Sequence, residues 1–195
     1  MAHLDLSIYA VHAAFWASFG ITRAIVREKA AEPAPAVEEQ KTAPFSRVVL
    51  GVHFLAFGVM YFGLGRAVLP ALVPEWFYDQ RIAGVLVMAL GAYLMSWSLV
   101  YFRSWRFRAK LDAGHQLATG GPFALMRNPI YMGLDLLALG TALWVPTPIV
   151  WAGFVLMVVG SDLRARTEER LLEESFGDAY RAYRARTKRF VPGVY

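Results

Sequence analysis

Apolar residues fall into five blocks: Leu4 to Val26, Val48 to Val73, Ile82 to Phe102, Ile130 to Val145 and Ile149 to Leu163. The first three are long enough to cross a bilayer at about 20 residues per span. The last two are short for isolated spans and are joined by Pro146-Thr147-Pro148, which predicts a tightly coupled helical hairpin. Gly51, Gly58, Gly63 and Gly65 in the second block, and Gly84 and Gly91 in the third, suit close helix contacts. Residues 27–46 are rich in Ala, Pro and Glu and read as an exposed connector. Residues 70–78, with Trp76, Phe77 and Tyr78, read as an interfacial turn. The tail, 164–195, is polar, yet Leu172, Phe176, Tyr180 and Tyr183 recur at helical spacing and give one apolar face. Gly177 is placed to divide that helix. The expectation is an all-α polytopic membrane protein, one domain over residues 1–195, with about five spans and a cap made from the 103–129 loop and the tail.

Composition strengthens this reading. Charged residues make up 18% of the chain, against about 25% in an ordinary soluble domain. The absence of cysteine excludes a disulfide framework, a zinc-thiolate site and thiol catalysis. The net charge of +5 would suit nucleic acid, but the Arg and Lys residues cluster beside apolar blocks, as topology determinants do. The run 103–110, with Trp105 and Phe107, is accordingly an interfacial anchor, and no nucleic-acid partner is expected. No basic region precedes the first block, so no cleavable signal peptide is expected. Arg23, Arg27, Lys29, Arg47, the 103–110 run, Arg127 and the tail fall on one side of five spans. The positive-inside rule then expects the N-terminus outside and the C-terminus in the cytoplasm of a plasma (inner) membrane.

The candidate chemistry lies between His115 and Gly133. Gly120, Gly121 and Pro122 force a turn. Asn128-Pro129 reads as a helix start, Asn128 the N-cap and Pro129 the first helical residue. A helix N-terminus carries about half a positive charge and free N–H groups, so it can hold an anion, and Arg127 adds a full charge there. Asp135 follows Tyr131 by four residues, on the same helix face and at membrane depth, where charge is costly; a structural bond to Tyr131 or a neighbouring Ser explains it equally well. His12 and His53 lie inside apolar blocks and read as packing or interhelical hydrogen-bonding residues. No His or carboxylate pair has metal-ligand spacing, so no metal is expected.

The segment His115-Gln116-Leu117-Ala-Thr119-Gly-Gly121-Pro122-Phe123, followed by Arg127-Asn128-Pro129-Ile-Tyr131-Met-Gly133, resembles the signature of the isoprenylcysteine carboxyl methyltransferase and phospholipid methyltransferase superfamily. A second element, Glu168-Glu169 followed by Leu172, Phe176-Gly177 and Tyr180, resembles that superfamily's acidic pair, and Arg189-Phe-Val-Pro192-Gly its close. Asn128 stands where the superfamily usually has His; Asn can cap and donate a hydrogen bond but cannot shuttle a proton near neutral pH. The resemblance implies S-adenosylmethionine as cofactor, leaving as S-adenosylhomocysteine. It implies a cofactor site of His115, Gln116, Leu117, Thr119, Gly121, Pro122, Phe123, Arg127, Asn128, Pro129, Tyr131, Glu168 and Glu169. Arg127, Tyr131 and Glu169 are the expected catalytic set. The chemistry suits these residue types: Arg127 and the helix start could take the cofactor carboxylate, and Glu168 or Glu169 its amino or ribose groups. The implied activity is methyl transfer to a lipophilic acceptor drawn from the bilayer.

Each feature also has a plain reading. Arg127 alone would be a topology anchor that snorkels to the headgroups, and Glu168 and Glu169 solvated helix charges. The spacing E-x-x-L-x-x-x-F-G counts from Glu169 and favours it over Glu168. The competing function is a non-catalytic scaffold or channel-like bundle, which has no need of all these elements together. A nicotinamide-dependent membrane reductase would need a phosphate-binding glycine cluster after a strand, which this chain lacks.

Overall fold

A computed structural model of the chain describes residues 6–29, 44–67, 80–102 and 117–195. The connector core 30–43, the interfacial turn at 70–78, the basic run 103–110, His115 and Gln116 lie outside the described residues. Among the described residues seven helices follow in order: α1 (Ser7–Lys29), α2 (Pro44–Ala67), α3 (Arg81–Phe102), α4 (Pro122–Leu125), α5 (Pro129–Trp144), α6 (Pro148–Phe176) and α7 (Asp178–Arg186). Three of the described helices are long and apolar enough to cross a membrane, over Val48–Arg66, Arg81–Phe102 and Pro148–Phe176; α5 is apolar but shorter.

The helices pair through backbone contacts that glycine permits. A Cβ on Gly91 would lie 2.7 Å from the Gly133 carbonyl oxygen, and one on Gly84 2.7 Å from that of Gly140. Both pairs recur seven residues apart on each helix, so α3 and α5 run antiparallel with their backbones touching. Gly63 against Val150, Met60 against Gly153 and His53 against Gly160 align α2 with α6 in the same antiparallel sense. These are the two most extensive pairings, and α1 packs on α3. The expected hairpin of α5 and α6 therefore forms, and it joins the two pairs. Gly84 and Gly91 act as the sequence expects. Among the described residues, of the second-block glycines only Gly63 meets a neighbour, and Gly51, Gly58 and Gly65 have nothing within 4 Å.

Thr147 caps α6 by accepting from the Val150 N–H at 3.3 Å, with Pro148 at the first helical position. At 29 residues and 1.5 Å per residue, α6 is about 44 Å long. A hydrocarbon core of about 30 Å absorbs roughly 20 residues, so α6 emerges near Glu168. Span and acidic pair thus share one rigid helix, which ends at Gly177 (φ 51), the break the sequence expects. Beyond it Tyr180 and Tyr183 are buried and anchor α7, while Leu172 and Phe176 are half-buried. Large side chains such as Phe54, Phe62, Ile82, Leu86 and Tyr93 face outward, as in a bundle solvated by lipid.

Deep in the bundle His12 is enclosed by polar partners. Its Nδ1 lies 3.0 Å from the Tyr61 hydroxyl, which also accepts from Trp16 Nε1 at 2.8 Å. Its Nε2 lies 3.0 Å from Thr141 Oγ1, which donates to the Leu137 carbonyl at 2.7 Å.

Candidate active site

The turn the sequence locates at Gly120-Gly121-Pro122 is present. Gly121 has φ 55, a left-handed conformation that favours glycine, and Pro122 opens α4. A Cβ on Gly121 would fall 2.6 Å from the Tyr101 ring, so the loop lies directly against the end of α3. The Tyr183 hydroxyl donates to the Phe123 carbonyl at 2.7 Å and ties this loop to α7. Leu117 and Thr119 are half-buried along it.

Past α4 the chain pairs with its own tail. Met126 and Lys188 form an isolated parallel bridge, with Arg127 N donating to Lys188 O at 2.8 Å and Asn128 N to Arg189 O at 3.0 Å. Helix α5 then begins at Pro129 with Asn128 as N-cap, as the sequence predicts. The Asn128 side chain does not make the capping bond. Its Nδ2 instead donates to Glu169 Oε1 at 2.8 Å.

Glu169 is the hub. Arg127 donates from Nε to Oε1 at 3.1 Å and from Nη2 to Oε2 at 3.2 Å. Arg189 adds a second fork, Nε to Oε1 and Nη2 to Oε2, both at 3.1 Å. Side-chain exposure is only 9% for Arg127 and 7% for Glu169, so neither is the solvated charge of the plain reading. Burial alone would push the Glu169 carboxyl up, but the hydrogen bonds from Arg189, Arg127 and Asn128 outweigh it and hold it below the usual carboxylate range. Arg127 Nη1 also donates to the Thr187 carbonyl. Arg189 reaches on to Asp162 Oδ1 at 3.0 Å and to the Tyr195 hydroxyl at 2.9 Å.

One turn deeper, the Tyr131 hydroxyl donates to Glu168 and accepts from Arg164 Nε at 2.9 Å. Arg164 Nη2 lies 3.5 Å from the same Glu168 oxygen. Burial, only partly offset by Tyr131 and Arg164, pushes the Glu168 carboxyl up. Glu168 keeps 28% side-chain exposure and so is more open than Glu169. A further turn down, the Ser161 hydroxyl donates to Asp135 Oδ1 at 2.7 Å. Of the two partners the sequence offers Asp135, the bond is to serine, not to Tyr131. The Tyr180 hydroxyl is buried without a hydrogen-bond partner among the described residues.

The site residues thus gather at one end of the bundle, His115 and Gln116 lying outside the described residues. Arg189 and Arg164 complete the set. Arg189 belongs to the closing motif; Arg164 stands four residues before Glu168, a spacing that reads equally as a surface ion pair.

The profile of the phospholipid methyltransferase family matches residues 80–179, more than half of the chain and both sequence elements up to the break at Gly177. The chain belongs to that family. The superfamily resemblance read from residues 115–133 and 168–180 therefore holds. The protein-S-isoprenylcysteine O-methyltransferase of Schizosaccharomyces pombe is 32% identical over 119 residues, covering 59% of this chain and 50% of that protein. The chain thus spans about half the length of that curated relative. An uncharacterized Haemophilus influenzae protein is 32% identical over 63 residues, its full length and 32% of this chain. Among solved structures, a eukaryotic intramembrane Ras methyltransferase, isoprenylcysteine carboxyl methyltransferase, superposes with a TM-score of 0.66 at 19% identity. That superposition covers 100% of this chain and 69% of the other. It establishes the fold: an all-α, polytopic membrane protein.

Proposed function

We propose that this chain is a methyltransferase that uses S-adenosylmethionine and acts on a lipophilic acceptor reaching the site from the bilayer. The observation that carries the proposal is the junction at Glu169, where the loop element, the acidic element and the closing Arg189 meet in one buried knot. A scaffold gains nothing from joining these three segments at a membrane surface.

The residues suit the cofactor. The donor set around Glu169 and Asp162 brings three guanidiniums, from Arg127, Arg189 and Arg166, to two carboxylates, a positive surplus that favours an anionic group beside the α5 N-terminus. The Tyr180 hydroxyl, without a hydrogen-bond partner among the described residues, offers a further polar contact. Bound there, the cofactor supplies an electrophilic methyl group on a sulfonium. Leu117, Thr119, Gly121, Pro122, Phe123 and Tyr131 would line the adenosine side; His115 and Gln116 belong to the same sequence motif. Glu168, the more open carboxylate, is the better partner for amino or ribose groups. Glu169 with Arg127, Asn128 and Arg189 holds the frame that positions the rest. The family's usual His is replaced by an Asn whose amide donates to Glu169, a task that needs no proton transfer.

Calorimetry on the detergent-purified chain should show S-adenosylmethionine or its demethylated product binding with micromolar affinity, about −8 kcal/mol. Labelled methyl should then pass to an apolar acceptor. No heat and no thermal shift with either ligand would refute the reading.

A further inference from the structure

Helix α6 carries a lipid-facing stripe. Val155, Val158 and Val159 are exposed on it, and Asp162 and Arg166 continue the same face at helical spacing. Counted back from Glu168, where α6 emerges, Asp162 is about 9 Å inside the hydrocarbon boundary. A bare carboxylate facing lipid at that depth is costly, and the closing segment covers it. The Tyr195 hydroxyl donates to Asp162 Oδ1 at 2.8 Å, and Arg189 Nη1 reaches the same oxygen at 3.0 Å. Arg166 donates from Nε to Asp162 Oδ2 at 2.6 Å and from Nη2 to the Tyr195 hydroxyl at 3.1 Å.

The route of the chain explains how Tyr195 comes to lie so deep. Beyond Gly177, α7 turns back toward the bilayer: Tyr183 bonds the Phe123 carbonyl, and Lys188 pairs with Met126 and Arg127 just before α5 begins. Lys188 is therefore level with the headgroups, and the residues after it descend along the outside of α6. Phe190 turns inward, buried beside Tyr131 and Ala165. Val191 and Val194 turn outward, 41% and 75% exposed. Phe190 N and Val191 N both donate to Tyr195 O at 2.7 Å and hold the turn closed. At the level of Asp162 these outward valines meet acyl chains, where apolar exposure costs nothing.

Charge fits the same surface. The ion pairs of α7 engage Arg181 and Arg184 with Glu173 and Asp178. Arg186 and Lys188, exposed and nearer the bilayer, take part in none of them. Two cations thus stand at headgroup height above an apolar turn, the vertical order that suits an anionic leaflet.

We propose that residues 186–195 form an interfacial foot. Val191, Val194 and the Tyr195 ring seat among the acyl chains, and Arg186 and Lys188 hold the headgroups of anionic phospholipids. Arg189, between the two parts, forks onto Glu169, so the leaflet braces the buried knot from outside. This contact holds whether or not the chain transfers methyl groups.

The chain has no cysteine, so Val194→Cys carries a single nitroxide. The full chain is placed in nanodiscs of phosphatidylcholine mixed with phosphatidylglycerol. Collisions of the label with oxygen, relative to a water-soluble nickel chelate, should match those at Val155→Cys on the lipid-facing stripe. They should exceed those at Ala179→Cys, exposed at the far end of α7. A label at 194 that reads like 179 puts the turn in water and overturns the proposal. One shielded from both collision partners means that a second copy of the chain covers the turn, and overturns it too. Phosphatidylglycerol is then titrated into the full chain in neutral detergent micelles, followed by a fluorophore at Val194→Cys. The midpoint should rise roughly fivefold in each of Arg186→Gln and Lys188→Gln, the usual weight of a basic residue at an anionic surface. Both substitutions change exposed side chains and keep the backbone pairing of Lys188, so folding is unaffected. Midpoints unmoved in both variants, or an equal response to phosphatidylcholine, overturn the headgroup assignment.

Discussion

Glu169→Ala separates a carboxylate that builds the site from one that only touches a cofactor. From sequence, Arg127 and Glu169 read as surface charges whose removal would leave folding intact and weaken cofactor binding by about 1.5–3 kcal/mol. The structure instead has Glu169 accepting five hydrogen bonds from two guanidiniums and one amide. At about 1.5–3 kcal/mol each for charged bonds, a simple sum would reach roughly 7–15 kcal/mol. That overshoots, because Arg127 keeps the Thr187 carbonyl and Arg189 keeps Asp162 and Tyr195. Removing one partner of a buried ion pair costs about 3–5 kcal/mol. With Arg127 and Glu169 9% and 7% exposed, little of that is lost to screening. In a chain of this size 1 kcal/mol shifts Tm by about 2–4 °C, so Glu169→Ala should lower Tm by about 6–20 °C. The assay is thermal unfolding in detergent without cofactor. Glu169→Ala combined with Arg189→Ala should be milder than the two losses added, by about 1–3 kcal/mol, since the residues are in contact. A Tm drop below about 2 °C in a normally inserted chain would mean that the knot does not hold the cap, and the sequence reading would stand.

Gly91→Ala puts a Cβ 2.7 Å from the Gly133 carbonyl and should destabilise by about 1–3 kcal/mol; Gly58→Ala, with open space around it, should be neutral or gain up to about 1 kcal/mol. Equal effects in thermal scans would remove the α3–α5 backbone contact. The Glu169 carboxyl is held below its usual range, so its contribution is present above the unfolded value of about 4.3 and lost as pH falls through the folded value. The Glu168 carboxyl is pushed up, so its contribution is complete below the unfolded value and lost as pH rises through the folded one. Glu169→Gln should flatten the acid limb of a Tm–pH curve and Glu168→Gln the rise in cost toward neutral pH; unchanged limbs in both would refute the assignment. Reporter fusions should place the C-terminus in the cytoplasm and the N-terminus outside, and both ends on one side would refute five crossings.

The elements were legible because their signals are local. Five apolar blocks, Gly120-Gly121-Pro122, Asn128-Pro129 and Gly177 each act on the backbone where they stand; the described parts of the blocks are helical, though only three of those helices are long and apolar enough to cross a membrane. Partners across the chain were not legible. Nothing near Glu169 announces Arg189, twenty residues on, and nothing near Asp135 tells which serine or tyrosine it meets, because such pairs follow from how helices pack. The same limit explains the α2 glycines. Residues 51, 58 and 65 share one face at a spacing of seven, and among the described residues none of them has a neighbour within 4 Å of a Cβ; spacing groups them, and only packing tells which group is used. Asn128 was placed correctly as an N-cap, while its side chain found the stronger acceptor in a buried carboxylate.

The polar residues of α5 and α6 form rungs about one turn apart. Arg127 and Asn128 meet Glu169, Tyr131 meets Glu168 and Arg164, and Asp135 meets Ser161. From Asn128 to Asp135 the descent is about 10 Å at 1.5 Å per residue, a third of the hydrocarbon core. Isolated polar groups at that depth would be costly, yet each of these is bonded to the next helix. The rungs also differ in charge: the outermost has surplus guanidinium, the middle one is balanced, and the innermost has a carboxylate with no arginine. The positive surplus thus lies at the end of the bundle where a water-borne anion would be favoured. Glu169→Ala and Asp135→Asn probe the two ends independently, because among the described residues the first and third rungs share no hydrogen bond.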